Sequence, residues 1–178
     1  MPGTGPDITV LRAYNSVPSV LSEYSYMGPG WDIHFGRIIG LYTCADNLLT
    51  PQSNKLFFVK PDGSQVEILP QLKIYFDKNN NQNYDEDIDY RPAYATTEFW
   101  RVECRGSSLV VTDKLDTDYY FGSPDTTGHL TKQVVVKVED THGNTLDIAY
   151  EIANAFTRPT SITASDGRQV NFTYTGFQ

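Results

Sequence analysis

Short runs in which apolar and polar side chains alternate recur along most of the chain. Leu72, Ile74 and Phe76 alternate with Lys73 and Tyr75, and Val134, Val136 and Val138 with Val135 and Lys137. Leu146, Ile148 and Tyr150 fall on one face of an extended chain, as do Val170, Phe172 and Tyr174. Less regular runs at 8–14, 55–60, 99–103 and 109–112 also read as strands. The best helical window, 17–26, is short and interrupted by Pro18. Between the runs stand Pro61-Asp62-Gly63, His142-Gly143-Asn144 and Asp166-Gly167, which suit tight hairpins because both central residues tolerate positive φ. The expected fold is all-β, an antiparallel sheet or hairpin array.

The last third repeats itself. Gly143-Asn144 is followed by Leu146, Ile148 and Tyr150, and Gly167-Arg168 by Val170, Phe172 and Tyr174. The glycines lie 167 − 143 = 24 residues apart, and so do the tyrosines, 174 − 150 = 24. Each unit is a turn and a strand ending in Tyr, too small to bury its apolar face alone, so stacked units and further neighbours or caps are expected. The repeat ends close to Gln178, which reads as truncation within an array. Met1-Pro2-Gly3-Thr4-Gly5-Pro6 has neither a basic nor an apolar leader pattern and reads as a linker.

Composition agrees with strands. The chain has 178 residues, with 12 Tyr, 9 Phe, 13 Gly and 10 Pro, a balance of strand and turn formers. Hydrophobic residues at 39% supply a core and argue against disorder. A net charge of −8 disfavours nucleic acid, whose phosphates an acidic surface repels. No apolar run approaches the roughly 20 residues of a membrane helix, so no membrane insertion is expected. Cys44 and Cys104 have no metal-ligand neighbours. Free buried thiols are the favoured reading, and a disulfide in an oxidising compartment is the alternative.

One segment suggests metal chemistry. Residues 77–89 place oxygen side chains at Asp77, Asn79, Asn81, Asn83 and Asp85, the odd-numbered spacing of a calcium loop. Asp77 would open the site, Asn79 and Asn81 would supply side-chain oxygens and Asn83 its carbonyl. Asp85 would bind directly or through water. Gln82 occupies the place of the turn glycine and Ile88 that of the closing carboxylate, so a Ca²⁺ site would be weak and structural; the competing reading is a solvated hairpin tip. Elsewhere there is no nucleophile elbow, His-Glu-x-x-His, P-loop or dinucleotide glycine set. Trp31 reads as a core anchor, His34 as a strand residue, and the pairs Asp116/Asp118 and Glu139/Asp140 as solvated edges rather than a glycosidase pair. Tyr150 and Tyr174 read as a packing ladder before a sugar-stacking surface. No enzymatic activity is expected.

Several motifs carry a family likeness. Gly128-His129-Leu130-Thr131, Glu139-Asp140-Thr141-His142-Gly143-Asn144-Thr145-Leu146, Tyr150-Glu151, Pro159-Thr160-Ser161-Ile162-Thr163, Asp166-Gly167-Arg168 and Phe172-Thr173-Tyr174 follow one another in order. Together they resemble the YD repeats of Rhs proteins. Upstream, Arg12-Ala13-Tyr14-Asn15-Ser16, Gly28-Pro29-Gly30-Trp31, residues 56–64 and Phe99-Trp100 resemble the segment that precedes those repeats. Glu151 departs from the family's Asp, and residues 77–89 look like an insertion. The resemblance implies residues 1–114 as the β region before the repeats and 115–178 as the first repeats. It further implies a strand spiral forming a hollow shell around a C-terminal toxin or effector, secreted or displayed at the cell surface. The partner would be the remainder of the same polypeptide. An extracellular carbohydrate-binding or adhesive module is the alternative.

Overall fold

The computed structural model describes residues 5–14, 24–25, 27–29, 31–75, 90–122, 133–153 and 156–175. Among them the regular elements are all strands. The first four are two-residue ladders: β1 (Ala13–Tyr14), β2 (Tyr24–Ser25), β3 (Gly28–Pro29) and β4 (Trp31–Asp32). Then come β5 (Arg37–Ile39), β6 (Tyr42–Ala45), β7 (Leu48–Pro51), β8 (Leu56–Val59), β9 (Gln65–Tyr75) and β10 (Tyr90–Thr96). The rest are β11 (Arg101–Arg105), β12 (Ser108–Thr112), β13 (Asp118–Gly122), β14 (Gln133–Glu139), β15 (Thr145–Ala153), β16 (Phe156–Ala164) and β17 (Gln169–Asn171). Every pairing is antiparallel, as the alternating runs imply.

The sheet closes on itself, which alternation alone does not foretell. In order β13-β12-β11-β10-β9-β8-β5-β14, with β13 also bonded to β14, it forms an eight-stranded barrel. One edge of β14 is given wholly to β13. The other is divided: Gln133 and Val134 pair with Ile38 and Arg37 of β5, whereas Val138 and Glu139 pair with Leu146 and Thr145 of β15. Beyond that fork the sheet runs on as β15-β16-β17. Gly36 sits at the seam, where an added Cβ would lie 2.9 Å from Val135 and 3.0 Å from Phe58. An eight-stranded barrel is just wide enough for its own side chains to fill. Ile38, Leu56, Phe58, Val66, Ile68, Val102, Cys104, Leu109, Val111, Phe121 and Val135 do so, all buried. The same apolar layer continues under the extension through Val138, Leu146, Ile148, Ile162 and Ala164.

Five turns of one design join the strands at one end of the molecule among the described residues. They are Lys60–Ser64, Thr96–Trp100, Asp113–Thr117, Asp140–Asn144 and Ala164–Arg168; in each, the first N–H bonds the fifth carbonyl and the fourth N–H bonds the first carbonyl, at 2.8–3.2 Å. Only the fourth residue has positive φ: Gly63, Gly143 and Gly167, but also Phe99 (65°) and Asp116 (57°). These are three-residue loops with a glycine-type bulge, not the tight two-residue turns that Asp-Gly and Gly-Asn suggest. A two-residue turn with both residues at positive φ occurs instead at Asp46-Asn47, joining β6 to β7. Phe99 therefore adopts a left-handed conformation that costs a bulky residue about 1–2 kcal/mol, and its side chain is 79% exposed. Replacing it by Gly removes that cost against the ~0.5–1 kcal/mol entropic penalty of glycine. Phe99→Gly is expected to leave stability unchanged or raise it by up to about 1 kcal/mol, read from the urea midpoint, although the change deletes an aromatic side chain.

Several expectations need correction. Val134, Val136 and Val138 do not share a face: a bulge in the β13–β14 ladder shifts the phase, so that Val135 and Val138 point inward and Val134 is buried on the other side. The run 8–14 is strand only at Ala13–Tyr14, and Phe99 belongs to a turn rather than to β11. Trp31 is half-buried outside the core, where the Arg12 guanidinium lies 4.3 Å above its ring. His34 is buried, but in the connection between β4 and β5, where Nδ1 accepts the Gly36 N–H at 3.2 Å. Cys44 and Cys104 are joined in a disulfide, contrary to the favoured thiols. Cys104 points into the barrel near its end, and the β6–β7 hairpin folds over to meet it. Positions 114 and 115 lie inside the turn joining β12 to β13, both strands of the barrel.

Candidate functional site: the sealed barrel and its repeat edge

At the turn end, aromatic rings close the barrel. Phe58 is fully buried, with Trp100, Tyr119 and Phe121 at centroid distances of 5.6, 6.2 and 5.7 Å, and Trp100 stacks on Tyr119 at 6.1 Å. Lys60 Nζ reaches over Trp100 and pairs with Glu98 at 2.9 Å. Burial, with Asp113 beside the hydroxyl, pushes the Tyr119 phenol up to about 12. The N-terminal segment crosses this end: the Pro6 carbonyl accepts from Arg168 at 3.2 Å, Ile8 packs on the core, and Ala13 reaches Gly63.

At the far end, the β6–β7 hairpin lies across the mouth. The Cys44–Cys104 bond ties it to β11, Tyr42 Oη donates to Gln133 Oε1 of β14 at 2.9 Å, and the Gly106 N–H donates to Asn47 Oδ1 at 2.7 Å. Leu49 enters the core. Burial raises the pKa of Tyr42, so its phenol stays protonated.

The third feature is the repeat edge. Tyr150 Oη donates to the Val135 carbonyl at 2.8 Å and Tyr174 Oη to the Pro159 carbonyl at 2.5 Å. The acceptors lie 159 − 135 = 24 residues apart, so the repeat governs the hydrogen bonding as well as the sequence. Arg158 stacks on the Tyr174 ring at 4.2 Å and pairs with Glu151 at 2.7 Å, which gives the Glu in place of Asp a local role. Among the described residues, β17 pairs on one side only, with β16. Phe172 N–H bonds the Thr160 carbonyl beyond it. In an antiparallel ladder alternate amides face opposite ways, so those of Asn171 and Thr173 face outward.

Several of the described carboxylates form ion pairs or cap turns. On the outer face Asp118 binds Arg105 and accepts from Thr112 at 2.6 Å; Arg105 also holds Glu103 at 2.8 Å, and Lys137 pairs with Glu139 at 2.7 Å over the Tyr120 ring. Burial lowers the Arg105 pKa, but its bonds to Asp118, Glu103 and Tyr120 outweigh that and raise it. Asp113 and Asp140 cap the N–H groups two and four residues on. In two sister turns Asp62 and Asp166 cap from the third position instead. Among the described residues no three His, Cys, Asp or Glu are placed to hold a metal ion. Asp77, Asn79, Asn81, Asn83 and Asp85, the candidate Ca²⁺ ligands, lie outside the described residues, as do Gly128-His129-Leu130 and most of 17–26.

The caps impose a pH dependence. Hydrogen bonds from Ser64 hold the Asp62 pKa below its ordinary value, and those from Asn144 do the same for Asp140. A depressed folded-state pKa contributes stability above the unfolded value that is lost as pH falls through the folded one. The denaturant midpoint is therefore expected to hold near neutrality and drop below about pH 4. Asp62→Asn combined with Asp140→Asn should flatten that drop; an unchanged acid slope would contradict this account of the caps.

Comparison with known proteins finds no matching family model and no matching curated protein. Among solved structures, the N-terminal domain of the effector protein SpvB from Salmonella typhimurium strain LT2 matches with a TM-score of 0.54 at 14% identity, over 97% of this chain. The likeness is one of fold alone. This chain spans 63% of that one. Closure of the barrel and the β6–β7 cap are the parts of the site that the sequence does not show, and the disulfide is the alternative rather than the favoured reading of Cys44 and Cys104. The Asp46-Asn47 pair between two short apolar runs was the available signal for the hairpin.

Proposed function

We propose that this chain is a non-enzymatic structural segment of a longer Rhs/YD-repeat polypeptide, forming wall or cap of a β shell that encloses a C-terminal effector. The observation that carries the reading is the recurrence of the 24-residue unit in the hydrogen bonds of Tyr150 and Tyr174, on a sheet that leaves the barrel at β14 and whose last strand among the described residues, β17, pairs on one side. Such units gain stability from neighbours, and an open edge invites the next strand. Three further points support it. The barrel is filled by its own side chains, as in a scaffold. The disulfide suits a polypeptide exported to an oxidising compartment, secreted or at the cell surface. The fold is like that of an N-terminal domain of an effector protein. The partner is then the rest of the polypeptide, through the β17 edge, with no nucleic acid and no inserted membrane segment. The adhesive-module alternative draws less support, because the two repeat tyrosines direct their hydroxyls at backbone carbonyls.

Sedimentation velocity tests the proposal. Residues 1–178 alone should self-associate with rising concentration through the β17 edge, and a longer piece carrying further repeats should not. Val170→Pro, which removes a backbone donor and disrupts the edge strand, should reduce the association of 1–178. A 1–178 chain that stays monomeric at every concentration would count against the edge as the working surface.

A further inference from the structure

The β6–β7 hairpin covers the barrel's far mouth, and among the described residues its strands pair with each other and share no ladder with the barrel. Its base is a rigid unit: Gln52 and Ser53 N–H groups donate to the Leu41 carbonyl at 2.8 and 3.1 Å, and the Leu41 N–H donates to Ser53 Oγ at 2.7 Å. On either side of that base the chain leaves regular structure, at Gly40 (φ 109°) and at 53–55. The hairpin is thus a preformed flap, joined to the barrel at Gly40 and at residues 53–55. Among the described residues, three attachments besides apolar packing hold it down. Two are single hydrogen bonds, from Tyr42 to Gln133 and from Gly106 to Asn47; the third is covalent. The closure of the barrel itself, through β13–β14 and β14–β5, uses no residue of the flap.

From this arrangement we infer that the Cys44–Cys104 disulfide is a reductive release bond, cleaved by a thiol reductant to free the flap while the barrel stays closed. Cys44 is the less buried of the two, Cys104 being 4% exposed, but its side chain packs against the barrel core, so a reductant reaches Cys44 Sγ as the hairpin loosens from its seat. A thiolate of the reductant forms a mixed disulfide with Cys44 and expels Cys104 as a thiolate, which takes up a proton. A second thiol of the reductant then displaces Cys44, which leaves as a thiolate and is protonated in turn. Two protein thiols and one oxidised reductant result, so atoms and electrons balance. Cys104 stays inside the barrel and Cys44 departs with the flap. Loss of the covalent attachment leaves, among the described residues, two hydrogen bonds and the packing of Leu49 and Tyr42 on the core to hold the hairpin. Its opening uncovers the barrel's far layer, where Leu56 pairs with Ile68 and Cys104 with Leu109. The protein would then present a closed mouth where disulfides persist and an apolar one where thiols prevail. This holds whether or not the chain is part of a shell.

Hydrogen exchange of the 178-residue protein, oxidised and then treated with dithiothreitol, tests the inference. Peptides covering 41–53 should lose nearly all protection after reduction, while those of β12, β13 and β14, though lowered by loss of the cross-link, should stay better protected than the flap by a factor on the order of 100. Binding of an apolar dye should rise together with exchange and fall again on reoxidation. Cys44→Ser with Cys104→Ser should show the open pattern without reductant; should that variant fold poorly, reversible reduction of the wild type still decides. Tyr42→Phe should speed opening of the reduced protein and leave the oxidised one unchanged. Two results would overturn the inference. In one, the flap stays as protected when reduced as when oxidised. In the other, flap and barrel peptides of the reduced protein show the same protection, so that the hairpin opens only when the barrel unfolds.

Discussion

Phe58→Ala should lower the free energy of unfolding by about 4 kcal/mol, the range for truncating a fully buried Phe. Phe58 is fully buried at the centre of the aromatic closure, against Trp100, Tyr119 and the edge of Phe121. It also lies against the seam at Gly36, so truncation opens a void next to the β5–β14 pairing that completes the ring. Rigid ladders on both sides limit collapse into that void, which keeps the loss away from the low end of the range. For a chain of this length the melting temperature should fall by on the order of 10 °C. The contrast is Leu115→Ala at a turn tip, where the side chain is 79% exposed and the expected change is within about 0.5 kcal/mol. Urea unfolding of the two variants checks both values. Equal, small losses would mean that the barrel interior is not packed as described.

Removing the disulfide is the other large effect. The bond closes a loop of 60 residues, and the chain-entropy account gives about 4 kcal/mol for a loop of that length. Cys44→Ser with Cys104→Ser is expected to lose roughly that much, and dithiothreitol should lower the wild-type melting temperature by a similar amount, on the order of 10 °C, without changing the double variant. Both proteins should retain the far-ultraviolet signature of strands at room temperature, because the ring closes through backbone ladders. A double variant as stable as wild type would show that the loop is already constrained in the unfolded chain.

Local features were the legible ones. Leu146, Ile148 and the 24-residue spacing of Gly143/Gly167 and Tyr150/Tyr174 announced both strands and repeat, because the period of two and the turn residues are written within a few positions. The bulge beside Val136 was not legible: it breaks the period by one residue, and a run of valines looks the same in either phase. Closure depended on Ile38 meeting Gln133 and on Phe121 meeting Val135 across the fork of β14, pairings that no local pattern encodes. The cysteines illustrate the same limit. Cys44 and Cys104 carry no spacing signal, and only the fold of β6–β7 over the end of β11 brings them together. Phe99 misled for another reason, since an aromatic beside Trp100 reads as strand while the turn places it at positive φ. The site suffered most, because its working parts are a seam, a lid and an edge made by tertiary pairing rather than by a motif.

Hydrogen exchange at the two outward amides of the last strand tests the central claim most directly. In residues 1–178 at low concentration, the amides of Asn171 and Thr173 should exchange rapidly, while that of Phe172, bonded to Thr160, is protected. In the longer polypeptide, if the sheet continues as a repeat-built wall, Asn171 and Thr173 become as protected as Phe172. If both remain unprotected there, the β17 edge is a true end and the shell reading is wrong.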